Sequence, residues 1–223
     1  MKKQSLAAAF LAGALVLSSC GASNAVKGAG IGAAGGGAIG AGIGRVLGNT
    51  AVGAVIGGVV GGTAGTLIGK KMDKQKKELE RDVKDAKIES VNDGQAIRVT
   101  FDSGILFATG SASLSSTSQA TLRKFAANLS EHSDTDLMII GHTDNTGTDR
   151  VNNPLSYNRA ASVRSFLAGQ GVSSSRMKVE GKGSYEPVPD NSTAAGRREN
   201  RRVEVYILPS KAMVKAAQDG TLK

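Results

Sequence analysis

Hydrophobic positions change their spacing several times along the chain, and each spacing predicts a different element. Residues 28–69 carry seventeen of the thirty glycines. Gly28, Gly32, Gly36, Gly40, Gly44 and Gly48 form one series of fours, and Gly53, Gly57, Gly61, Gly65 and Gly69 a second. Each glycine costs a water-exposed helix about 1 kcal/mol relative to alanine. The period makes better sense where small residues let two helices approach closely. Residues 26–69 are therefore predicted to form a membrane-associated helical hairpin, each arm near the length that spans a thin bilayer. A flexible glycine-rich spacer is the alternative. Residues 70–92 are dense in charge, with Met72, Leu79, Val83 and Ala86 at helical spacing, and read as a solvated connecting helix.

Beyond residue 92 the spacing becomes that of a folded domain, residues 93–209. Ile97, Val99 and Phe101 alternate as a strand does. Leu122, Phe125, Ala126 and Leu129 fall on one helical face, and Leu137 to Ile140 form a short buried strand. A second helix turns Val163 and Leu167 inward and ends at Gly169 and Gly171. Met177 and Val179, then Val203, Val205 and Ile207, mark two more strands. The order β-α-β-α-β-β predicts an α+β sandwich, two helices packed on one sheet, preceded by the glycine-rich hairpin. The polar tail, 210–223, is expected to be mobile.

Charge and the N-terminus narrow the function. A net charge of +9 favours polyanionic partners. The chain opens MKKQSLAAAFLAGALVLSSC, a basic start and an apolar run too short for a membrane span, which reads as an export signal over residues 1–19. Leu17-Ser18-Ser19-Cys20 resembles the bacterial lipobox, which implies cleavage before Cys20 and lipidation of its thiol, with residues 20–25 as the lipidated N-terminus. Cys20 is the sole cysteine, so no internal disulfide forms. Export sets nucleic acid aside as a partner. Gly21 after the cysteine implies, by the same resemblance, delivery to the outer membrane.

The chemistry concentrates in GHTDNTGTDRVNNPLSYNRA, residues 141–160. No pair of His stands at helical spacing and no calcium-loop ladder is present, so a metal is not expected. No nucleophile elbow occurs and only two His are available. The stretch is richer in Asn, Thr and Arg than in acids, and no enzyme and no cofactor are predicted. Ser156 reads as a helix N-cap, with Leu155 and Ala160 as its hydrophobic staple. Arg159 would then stand at the third helical position, where a cation opposes the helix dipole. Asp144 is the expected counter-charge. Two readings follow and both stay open: an Asp144–Arg159 salt bridge that closes the loop, or a socket. Backbone N–H groups and an Arg fork suit a carboxylate, Asp144 suits an ammonium, and Asn152 can orient either. Such a socket fits the α-end of an amino acid. Asn145 and Thr146 are candidates to line it, and His142 is read as a loop-packing residue.

GHTDNTGTDRVNNPLSYNRAASV followed by GKGSYEPVPDNSTAAGRRENRRVEV resembles the C-terminal domain of OmpA and of peptidoglycan-associated lipoproteins. The glycine-rich segment is similar to the glycine zippers of some outer-membrane lipoproteins. The resemblance implies a periplasmic domain that binds the diaminopimelate of the peptidoglycan stem peptide noncovalently. It implies a clamp of Asp144 and Arg159 on that residue's ammonium and carboxylate, with Asn152 in the preceding loop and Arg201 in the Asn-Arg-Arg run. The backbone of Ala108 lies near the ligand in such domains; many relatives have Asp there, so a side-chain contact is in doubt. Arg197, Arg198 and Arg202 are read as structural, pairing with acids such as Glu199 and Glu204. The expected protein is an outer-membrane lipoprotein tethering membrane to wall. The runner-up is a homo-oligomeric membrane assembly or pore component built on the glycine stripes.

Overall fold

The structure, a computed structural model, describes residues 60–108 and 110–223. The export signal, Cys20 and the hairpin up to residue 59 lie outside the described residues. The sheet has five strands: β1 (Lys87–Val91), β2 (Ala96–Asp102), β3 (Thr135–Gly141), β4 (Met177–Gly181) and β5 (Arg202–Pro209). Their spatial order is β1-β2-β5-β3-β4, antiparallel except for the β3–β4 pair. The helices are α1 (Gly62–Asp82), α2 (Ser103–Leu106), α3 (Ser116–Glu131), α4 (Asp149–Gly169), α5 (Ala194–Asn200) and α6 (Lys211–Gln218). This is the α+β class that the hydrophobic pattern predicts.

Register explains the core. Ile97 pairs with Ile207, Val99 with Val205 and Phe101 with Val203. Leu137 and Ile139 continue the same rows to Met177 and Val179. Alternate residues share a face, so these strands present one apolar surface. Leu122, Phe125 and Leu129 of α3 and Ala160, Val163 and Leu167 of α4 cover it, with Phe125 edge-on to Phe101 at 5.5 Å.

Two segments differ from the sequence expectation. The charged helix is not a solvated connector. It starts at Gly62, runs unbroken to Asp82, and buries Ile68, Met72, Gln75 and Leu79 against the domain. Polar contacts complete the seam: Gln75 donates to Asn128 at 3.0 Å, Glu78 meets His132 at 2.6 Å and Lys71 meets Asp134 at 2.6 Å. The apolar stripe is one residue wide per turn, so surrounding lysines and glutamates mask it in the composition. The tail also docks. Ser210 caps α6 through the Met213 N–H, and Met213 and Ala217 enter the core beside α1. β1 was unread because its KIESV face is half exposed and mixed in polarity.

Where the chain enters the domain, the Gln95 side-chain amide accepts from the Val60 N–H and donates to the Val60 carbonyl, both at 2.9 Å. Gly65 is required there, since a Cβ would lie 1.9 Å from the Val60 oxygen. No helix among the described residues is long and apolar enough to cross a membrane.

Candidate functional site

The site forms at the end of the sheet where β2 and β3 finish and β5 begins. After β3, His142 N–H donates to the Arg202 carbonyl and Thr143 N–H to the Gly183 carbonyl. These bonds hold the loop that projects Asp144. The Asp144 carboxylate accepts from the Thr146 N–H at 2.9 Å through one oxygen and from Arg201 Nη1 through the other. Burial pushes its pKa up, but the Thr146 and Arg201 hydrogen bonds more than offset this, and the carboxyl is held below its ordinary value of 3.8.

The partner of Asp144 is therefore Arg201, not the Arg159 of the salt-bridge alternative. The helix start explains the correction. α4 begins at Asp149 behind the N-cap Thr148, so Arg159 stands eleventh in the helix and no dipole penalty arises. Pro154 falls at the sixth residue and is accommodated inside the helix. Asp149 in the first turn favours that earlier start. Ser156 is an interior residue; its hydroxyl donates to the Asn153 carbonyl and accepts the Gly183 N–H. Gly141 and Gly181 let α4 settle here, since a Cβ on Gly141 would lie 2.0 Å from the Ser156 oxygen.

Arg159 is only 3% exposed. Its Nε donates to the Ser111 carbonyl at 3.0 Å, and its guanidinium lies 5.4 Å from the centroid of the Phe107 ring. Its Nη1 is buried without a hydrogen-bond partner. Burial, and then the positive charge of Arg201, lower its pKa, while Asp144 acts in the opposite sense. Two guanidiniums thus lie within electrostatic reach of one carboxylate; Arg201 bonds it, and Arg159 has a spare donor. That arrangement has the chemistry of an anion site, and a carboxylate meets an Arg fork bidentately. Asp144 keeps acceptor capacity for a cation as well, because an ionised carboxylate offers about four lone-pair sites.

The other predicted residues divide. Asn152 is buried and donates to the carbonyls of Asp144 and Thr146, at 3.4 and 3.1 Å, so it braces the loop. Asn145 is exposed on the loop. Ala108 is exposed on the turn after α2, and its carbonyl accepts the Ser111 N–H, which places it beside the Arg159 contact. Arg202 pairs with Glu204 at 2.7 Å, the structural role expected of it. His142 is buried, both ring nitrogens lack a partner, and its pKa is lowered to about 3 by burial and then by Arg202. The Glu204 carboxylate 3.8 Å away therefore faces a neutral imidazole, not an ion pair. Ser111 and Phe107 were not read from the sequence, which carries no local sign of contacts spanning about fifty residues. Among the described residues no group of His, Cys, Asp and Glu could hold a metal ion.

The described domain is thus a five-stranded α+β fold with Asp144, Arg201 and Arg159 gathered at one end of its sheet. The OmpA family profile matches residues 106–201 and the glycine zipper profile residues 31–76. The chain is 36% identical over 138 residues to the probable lipoprotein YiaD of Escherichia coli K12, covering 62% of this chain and 63% of YiaD. It is 37% identical over 112 residues to the peptidoglycan-binding protein ArfA of Mycobacterium tuberculosis H37Rv, covering 50% of this chain and 34% of ArfA. The cell wall anchor of the T6SS from Pseudomonas aeruginosa shares the fold with a TM-score of 0.54 at 31% identity, over 60% of this chain and 96% of that one. The chain therefore carries an OmpA-like domain, with a glycine zipper segment matched ahead of it. It spans less than two thirds of YiaD and about a third of ArfA. ArfA is named for peptidoglycan binding, the Pseudomonas protein for anchoring at the cell wall, and YiaD as a lipoprotein; none of the three is named as an enzyme.

Proposed function

We propose that this chain is an outer-membrane lipoprotein that binds peptidoglycan noncovalently, through the diaminopimelate of the stem peptide, and so tethers the membrane to the wall. One observation carries the reading: the buried Arg159 with its free Nη1 beside the Asp144–Arg201 pair. Diaminopimelate brings a carboxylate and an ammonium on one carbon. The carboxylate takes the spare Arg159 donor and neutralises the excess positive charge; the ammonium takes a free lone pair of Asp144. Arg201, 39% exposed at its side chain, can swing to share the carboxylate. Asn152 holds the loop, and Ala108 and Asn145 border the cleft. The names of ArfA and of the cell wall anchor support wall binding.

Cys20 within Leu17-Ser18-Ser19-Cys20 supports a lipid anchor, as does the name of YiaD. The chain then divides into a signal at 1–19, a lipidated start at 20–25, a zipper hairpin within 26–69, and a wall-binding domain ending at 209 with α1 and α6 packed on it. The reading is tested by co-sedimentation of the full chain with diaminopimelate-type sacculi, beside Asp144→Ala and Arg159→Ala. Wild-type pelleting that free diaminopimelate competes away, and that both variants lose while folded, supports the clamp. Equal pelleting of all three reduces the pair to a structural contact.

The glycine zipper match supports a second reading, self-association through the glycine stripes with wall binding as an accessory. Detergent-resistant oligomers that vanish on Gly40→Leu or Gly57→Leu would carry it.

A further inference from the structure

An open depression of ≈ 530 Å³ adjoins the Phe107–Ala108 segment, lined by Asp85, Ile105, Phe107, Ala108, Ser115 and Thr117. Its size falls within the roughly 300–1,000 Å³ of small-ligand sites. Its walls come from three places: the segment after α1, helix α2 and the start of α3. Asp85 belongs to the α1 end of the chain, outside the residues matched to the OmpA family. One Asp85 oxygen accepts from the Thr121 hydroxyl at 2.8 Å, which fixes the carboxylate at the rim. Ile105 is 37% exposed, an apolar surface facing water on a short helix. Thr117 is exposed on the first turn of α3.

We infer that this depression is a saccharide subsite, which takes an N-acetylated hexosamine of the same wall polymer whose stem peptide enters the cleft. The inference rests on the wall-binding reading above. A pyranose has an apolar C–H face and a rim of hydroxyl donors. The first suits Ile105, Phe107 and Ala108, and the second suits the Asp85 carboxylate and the Thr117 hydroxyl. Further stem residues suit it worse, because they bring carboxylates that Asp85 repels. The two places share a residue: Phe107, which lines the depression, has the Arg159 guanidinium 5.4 Å from the centroid of its ring. Two residues of extended peptide span about 7 Å, more than the 5.4 Å between the Arg159 guanidinium and the ring of Phe107, a residue that lines the depression. A sugar tied to a bound stem associates at high effective concentration, so even weak contacts register as affinity.

The experiment measures binding of the full chain in detergent to three soluble probes: a diaminopimelate-containing tripeptide, the same tripeptide carrying its N-acetylhexosamine disaccharide, and a pentapeptide stem without sugar. The disaccharide should bind about 10-fold more tightly than the bare tripeptide, the scale of one good hydrogen bond. Asp85→Ala and Ile105→Glu should abolish that gain and leave tripeptide affinity unchanged. The Ile105 side chain is at the surface, so its replacement leaves the core closed even if loss of the Asp85 contact loosens α1. Equal binding of all three probes overturns the subsite and leaves the stem clamp standing. A gain from the pentapeptide with none from the sugar makes the depression a peptide subsite and overturns the saccharide assignment. Binding of none overturns the wall-binding reading and this one with it.

Discussion

Arg159 is a residue whose stability and function pull in opposite directions. A buried cation with an unpartnered nitrogen costs free energy, and replacing such a group with an apolar one of similar volume is often neutral or stabilising by about 1–4 kcal/mol. Arg159→Met should therefore hold or raise the melting temperature while wall binding is lost. A variant that melts well below wild type would show that Arg159 serves the fold. His142 gives the second residue-scale prediction. Its pKa in the fold is about 3, against 6.5 when unfolded. Between these values the unfolded state binds more protons, so stability falls as the pH falls from about 6.5 towards 3. Each pKa unit corresponds to about 1.4 kcal/mol, which puts the loss near 2 kcal/mol by pH 5. Glu204 and Asp144, held below their ordinary values of 4.5 and 3.8, begin to add their own loss as the pH falls through those values. Urea unfolding from pH 7 to 4 should show the decline, and His142→Phe should flatten its upper part.

At the scale of elements, α1 is the test. It buries Ile68, Met72 and Leu79 in the same cluster as the sheet, so Leu79→Ala should cost about 2–5 kcal/mol. A fragment beginning at residue 90 loses α1 and most of β1, leaves β2 as a bare edge, and uncovers the core beneath. It should melt far below a fragment beginning at residue 60 and bind a hydrophobic dye; equal melting would return α1 to the role of a wet connector. The same elements mark how far the sequence could be read. β2, β3, β5 and α3 were legible because their apolar residues alternate or recur on a full face. α1 was not, because one apolar residue per turn among lysines looks like a solvated helix. The start of α4 was displaced because Ser156, between Leu155 and Ala160, imitates an N-cap, whereas its hydroxyl is spent inside the helix on Asn153 and Gly183. In the cleft, Asp144 and Arg159 could be found because their loop and helix are adjacent in sequence. The ion pair of Asp144 with Arg201, 57 residues on, is set by strand order alone.

In the whole molecule, the cleft and the chain entry occupy opposite poles. β2 starts beside the turn at Asn92–Gln95, whose Gln95 grips Val60, and ends at Asp102 beside the cleft. Its seven residues span about 23 Å. Under the function proposed above, a zipper segment that held the entry pole at a membrane would turn the opposite pole towards the wall, and the docked α1 would fix that orientation. One clamp, built on a few charge-assisted hydrogen bonds of about 1.5–3 kcal/mol each, is modest by itself. Many copies on one surface facing a fixed polymer gain by avidity. Vesicles carrying the full chain should therefore pellet with sacculi and resist a concentration of free tripeptide stem that releases the same chain in detergent, by a factor of about 100 or more. Vesicles carrying Asp144→Ala should stay in the supernatant. If vesicle and detergent forms release at the same tripeptide concentration, the membrane-held cleft does not face the wall, and the opposed poles have no part in tethering.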